Sequence, residues 1–165
     1  MPKPVYIVCC ESSVEDSRSN LLSFFNVLEK IVIKRTQRGD ETKMGLSKLK
    51  FCTVAVWTRD ESDAPDQEYE AQFAIHAPPG GVEIVTKELK RFRIQEDKQL
   101  QRLTLNFVGD PPIKGPGVIR VESRVRAVGT DEWISQDYPI FAEVIGAEGE
   151  AEDSAEQEQA PVERT

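Results

Sequence analysis

Histidine, cysteine and clustered carboxylates are the side chains that most readily do chemistry, and this sequence spaces few of them usefully. His76 is the single histidine. Sequence order alone supplies no argument for a Ser-His-Asp or Cys-His arrangement around it. It reads as a partly covered residue on a strand. Cys9 and Cys10 are adjacent and Cys52 stands alone. A zinc site needs four ligands at suitable spacing, which these residues do not supply. On a strand, neighbouring side chains point to opposite faces, so one of Cys9 and Cys10 is expected in the core. Three cysteines, two of them adjacent, make a poor disulfide framework and point to a reducing cytoplasm.

Two charged groups are candidate contact sites. The stretch TRDESDAPDQE, residues 58–68, gathers Asp60, Asp63 and Asp66 on a loop. Calcium takes six to eight oxygen ligands, so a carboxylate loop at one end of a sandwich is a candidate Ca²⁺ site. The spacing is not that of an EF-hand, and the plain reading is a solvated connection. Lys90, Arg91 and Arg93 in one segment and Arg120, Arg124 and Arg126 in another would form a basic face if their strands are neighbours. The plain reading is the polar side of a sheet. No P-loop, GxGxxG or GxSxG motif is present. The residues therefore assign no catalytic group and no cofactor.

The elements that would position these residues are strands. Lys50 to Arg59 (KFCTVAVWTR) is rich in β-branched and aromatic residues, and its near-continuous apolarity predicts a central strand. Residues 68–77 alternate, with Tyr69, Ala71, Phe73 and Ile75 on one face. In residues 100–108, Leu103, Leu105 and Phe107 are expected inward. In residues 118–128, Ile119, Val121, Val125 and Ala127 share one face and the arginines the other. GTDE turns the chain into a last strand over residues 133–145. Residues 82–94 are ambiguous by pattern, with a strand expected from Lys90 to Gln95. Residues 12–20 and 36–47 read as polar loops, the second of them mobile. The stretch from Leu21 to Arg35 fits a helix or a strand by periodicity. Its β-branched Ile31–Val32–Ile33 and adjacent Phe24 and Phe25 favour one strand, with Phe25, Val27, Ile31 and Ile33 on a common face.

The charge is uneven. Of 29 acids and 21 bases, seven acids and one base fall in residues 146–165, which leaves the body at −2 and gives the tail −6. With Val162 as its one sizeable apolar side chain, the tail is expected to be disordered. MPKPVYIVCCESS is unlike a signal peptide, and no run approaches the roughly 20 apolar residues of a membrane helix. A net-acidic chain without aromatic residues among its basic ones argues against nucleic acid.

PKPVYIVCCE, a polar loop, NLLSFFNVLEKIVI and the Trp-containing FCTVAVWT together resemble a family of small bacterial proteins of uncharacterised function. The likeness spans roughly residues 4–145 and rests on packing patterns. It implies a β-sandwich and the strand reading of residues 21–35, and it carries over no catalytic residue. Phe25 and Asn26 stand where the family's pattern has a glycine and a small residue, and the 36–47 segment is longer.

These readings combine into an all-β, antiparallel two-sheet sandwich, immunoglobulin-like or related, over residues 1–145, with the acidic tail at 146–165. The expected function is a non-enzymatic protein-binding or assembly module in a bacterial cytoplasm. The expected partner is another protein, with neither nucleic acid nor a membrane span. A homo-oligomer through sheet edges is a further expectation. A Ca²⁺-dependent ligand or membrane-surface module, and an enzyme whose site the sequence does not display, stand as alternatives.

Overall fold

The computed structural model describes residues 1–19, 21–38, 41–45, 49–78, 80, 82–95, 100–109, 113 and 115–145. Among these there is no helix. Eleven strands run in the order β1 (Lys3–Glu15), β2 (Leu22–Val27), β3 (Lys30–Arg38), β4 (Glu41–Gly45), β5 (Leu49–Thr58), β6 (Glu68–Ala77), β7 (Val82–Val85), β8 (Lys90–Arg93), β9 (Leu100–Gly109), β10 (Gly117–Ala127) and β11 (Ile134–Ile145). They form two sheets. The first has the order β2-β1-β5-β9. The second has the order β4-β3-β11-β10-β6-β7, with β8 also paired to β6. The acidic tail lies outside the described residues.

The core lies between the sheets, as alternation predicts. Cys9 and Phe51 of the first sheet meet Ile31, Ile33, Ile75, Ile119, Val121 and Ile140 of the second. Ala55, Trp57 and Leu103 meet Tyr69, Phe73 and Val125. Fully burying one such large side chain contributes about 1.5–3 kcal/mol. Trp57 is fully buried and its Nε1–H donates to Ser123 Oγ at 3.2 Å, so the indole is packed without losing its hydrogen bond. The β10–β11 turn places Gly129 at φ 87°, a conformation glycine adopts without cost.

The sequence-based expectation of a wholly antiparallel fold is corrected. β11 pairs with β3 in parallel, with Ala142 opposite Ile31 and Val144 opposite Ile33. The cause lies in the 21–35 stretch, which is two strands on two different sheets. β2 is a hairpin partner of β1 in the first sheet. The chain then crosses at Leu28 and Glu29, and β3 joins the second sheet beside β11. The crossing is tied down on both sides: Leu28 N–H donates to the Cys9 carbonyl at 2.8 Å, and Phe141 N–H to the Glu29 carbonyl at 2.8 Å. Asn26 takes φ 53° just before the crossing. A common face for Phe25, Val27, Ile31 and Ile33 is therefore not observed: Ile31 and Ile33 are buried while Phe25 and Val27 are exposed.

Two expected loops are also corrected. The first, residues 12–20, contains the end of β1, which continues to Glu15 because it pairs with β2. The second, residues 36–47, contains the end of β3 and all of β4, held as an antiparallel pair. The expected strand from Lys90 to Gln95 is observed as β8, and β7 precedes it.

The β1–β2 hairpin leaves the plane of its own sheet. β1 pairs with β5 only as far as Cys10, and its remaining residues pair with β2 alone. Phe24 meets Tyr6 edge to face at 6.2 Å, Ser13 Oγ lies 3.5 Å from Cys52 Sγ, and Glu15 forms an ion pair with Arg102 of β9. The hairpin thus lies over the outer face of the first sheet. Cys10, Cys52, Val54 and Val56 are buried beneath it, packed by Leu22 and Phe24. This explains the apolar run of β5: a strand covered on both faces has no solvent side. It also corrects the expectation that one of Cys9 and Cys10 is in a core. Both are fully buried, one on each face.

Candidate functional site

The outer face of the second sheet carries five of the six basic residues singled out from the sequence. β8, β6 and β10 are neighbours, so Arg91, Arg93, Arg120, Arg124 and Arg126 share that face, whereas Lys90, opposite Ala71 and next to Arg91 in the strand, lies on the other face and does not join them. Glutamates interleave them. Glu70 of β6 stands between Arg126, which donates through Nη2 at 2.9 Å and Nε at 3.1 Å, and Arg91, which donates through Nε at 3.1 Å. Arg93 pairs with Glu68 at 2.6 Å. Arg124 binds both Glu122 and Glu83 at 2.7 Å, and His76 Nε2 lies 2.8 Å from the same Glu122 carboxylate. Arg126 also stacks over Trp133, 4.5 Å from the ring centroid. Burial opposes ionisation of Glu122, but hydrogen bonds from Arg124, His76 and Ser135 outweigh it and hold the carboxyl down at about 2. Lys90 and Arg120 alone of the six form no ion pair with a described residue. The face is a neutralised ladder, which fixes a charge pattern and leaves little free positive charge.

At one end the ladder gives way to apolar side chains. Val118 of β10 lies directly opposite Phe141 of β11, and Arg120 lies opposite Pro139. Val32 of β3 lies opposite Glu143, which pairs with Lys30. Phe141, Val32 and Val118 are 58%, 48% and 42% exposed. Sequence reasoning assigned this group no role. Its signal was the alternation of β11, where Ile140 and Ala142 point inward and oblige Phe141 to point out.

The acidic loop is held by the chain's own cations. Lys3 Nζ lies 2.7 Å from Asp60 Oδ2, and the Met1 amino group pairs with Asp63. Asp60 also accepts from Ser62 N–H and Oγ at 3.1 and 3.0 Å, and Asp63 accepts from Tyr69 OH at 2.8 Å. The hydrogen bond from Lys3, with those from Ser62, holds the Asp60 carboxyl far below the ordinary carboxylate range. Burial and the bond to Asp63 push the Tyr69 hydroxyl up. The structure therefore brings Asp60 and Asp63 together, with Asp60 N–H donating to Asp63 Oδ2 at 3.3 Å, and leaves Asp66 exposed. No group of three or more His, Cys, Asp or Glu among the described residues is arranged to hold a metal ion.

A third location is a groove of about 440 Å³ beside the folded-over hairpin, lined by Ser12 and Ser13 of β1, Lys50 and Cys52 of β5, and Thr104 and Asn106 of β9 among others. It opens where β1 parts from β5. The three cysteines are free. Burial pushes the Cys9 thiol up to about 12 and the Cys10 thiol to about 11, so neither is poised as a nucleophile. No helix among the described residues is long and apolar enough to cross a membrane. No protein-family model matches the chain, and no curated protein matches it.

Proposed function

We propose that the protein is a non-enzymatic binding or assembly module that docks another protein, in the cytoplasm, on the outer face of its second sheet. One observation carries this reading: Phe141, Val118 and Val32 are exposed on paired strands, next to Arg120, which forms no ion pair with a described residue. A cluster of exposed apolar side chains rimmed by charge is the composition of a protein contact, with the aromatic residue as its anchor. The neighbouring ion-pair ladder suits the rim, where fixed charges select the partner's orientation and add little affinity. The reading includes an immunoglobulin-like arrangement. It is supported by β1, β5 and β9 facing β11, β10, β6 and β7 in an order that changes sheet between β2 and β3, β4 and β5, β5 and β6, β8 and β9, and β9 and β10. The free thiols fit a reducing compartment.

The test is a photo-crosslinking amino acid placed at position 141 in the full chain in its host, with position 25 of β2 as the comparison site. The reading predicts a discrete protein adduct from position 141 and a weaker one or none from position 25. Adducts of equal yield at both sites, or none at position 141, overturn it.

A further inference from the structure

Sheet edges present unpaired backbone donors and acceptors, and proteins guard them by keeping them short, charged or bent. β4, β7 and β8 are five, four and four residues long, and β8 carries Lys90, Arg91 and Arg93. β2 has six residues and bends at Asn26. β9 is different. It runs ten residues in unbroken register with β5, and no described strand pairs its other edge. Its sequence, LQRLTLNFVG, has no proline and one charge, Arg102, which Glu15 already meets. Leu100 and Val108, near its two ends, are 48% and 64% exposed.

The residue order of β9 matches itself about Thr104. Laid antiparallel on a second copy with Thr104 on the two-fold axis, Leu100 stands opposite Val108 and Leu103 opposite Leu105. Arg102 then faces Asn106, Gln101 faces Phe107, and Thr104 faces Thr104. No like charges oppose, the two exposed apolar ends cover each other, and aliphatic and Thr–Thr cross-strand pairs are stabilising. A closed two-fold contact of this kind is self-complementary, as a homodimer requires.

We propose that β9 pairs with β9 of a second copy, joining two four-stranded sheets into one of eight strands. This contact uses the first sheet and does not rest on the docking face proposed above. Thr104 is exposed, so changing it leaves the core intact. The experiment is sedimentation equilibrium of the full chain across a concentration series, for wild type and for Thr104→Lys, which would place two ammonium groups on the axis. Alongside it, Thr104→Cys is incubated under mild oxidation and run without reductant. The expected results are a concentration-dependent dimer for wild type and a monomer for Thr104→Lys over the same range. Thr104→Cys is expected to give a disulfide-linked dimer that the buried native cysteines of wild type do not give. A wild-type chain that stays monomeric throughout overturns the proposal. So does a dimer that survives Thr104→Lys, or a dimer that Thr104→Cys fails to link.

Discussion

The two sheets leave their outer faces in opposite states. The first is sealed by its own chain: the β1–β2 hairpin folds over it and buries Cys10, Cys52, Val54 and Val56. The second is left open, with a ladder of paired charges at one end and Phe141, Val118 and Val32 at the other. The same kind of residue therefore has two meanings. Beneath the hairpin an apolar outer residue such as Val54 is core, while on the second sheet one such as Phe141 is surface. The difference shows where the protein supplies its own cover and where it leaves a face for another molecule.

The largest expected effect comes from breaking the seal. Val54→Asp would place an unpaired charge beneath the hairpin, and is expected to cost on the order of 4 kcal/mol or more. Phe141→Asp on the open sheet is expected to stay within about 0.5 kcal/mol of wild type. Urea unfolding of both variants measures the contrast, and similar losses would erase the distinction between the faces.

A smaller effect sharpens the account of the hairpin. Glu15→Ala removes the ion pair that ties its tip to Arg102. Alkylation of Cys10 and Cys52 in the native protein is then expected to speed up several-fold. Cys9, which lies between the sheets and bonds Thr53 at 3.3 Å, is expected to keep its slow rate. Site-resolved mass spectrometry reads this, and equal acceleration at all three would mean general loosening.

The smallest effect concerns the ladder. The Glu122 carboxyl is held at about 2 in the folded chain, against an ordinary value of 4.5. A lowered folded value means that its stabilisation is complete above about pH 4.5 and is lost as pH falls toward 2. Glu122→Gln is expected to flatten the stability profile in that window and leave its shape near neutral pH unchanged. Chemical unfolding at several pH values checks it; an unchanged acid limb would show that the ladder contributes nothing there.

The strands of the second half were legible because each of them buries one face. Tyr69, Phe73, Val121 and Val125 alternate with polar residues, and period two follows from that burial. The first half was less legible for a physical reason. A strand that changes sheets, as the chain does at Leu28 and Glu29, shifts its inward positions between β2 and β3, so no single period describes residues 21–35. The parallel pairing of β3 with β11 joins residues more than a hundred positions apart and left no local mark. Five of the six basic residues lie on one face and Lys90 on the other, and the pairing of Arg91, Arg93, Arg124 and Arg126 depends on Glu68, Glu70 and Glu83 arriving from neighbouring strands in a register that only the fold sets, with Glu122 on Arg124's own strand. The apolar cluster was hidden likewise, since Val32, Val118 and Phe141 come from three strands.

The most direct test of the open face is affinity capture from the host with full-length wild type, Phe141→Asp and Phe25→Asp, quantified by mass spectrometry. Phe25 is exposed on the first sheet to a similar degree, 50% against 58% for Phe141, so the two variants differ in place rather than in kind. The account predicts a partner captured equally by wild type and Phe25→Asp and lost with Phe141→Asp. Equal capture by all three, or loss with Phe25→Asp alone, would contradict it.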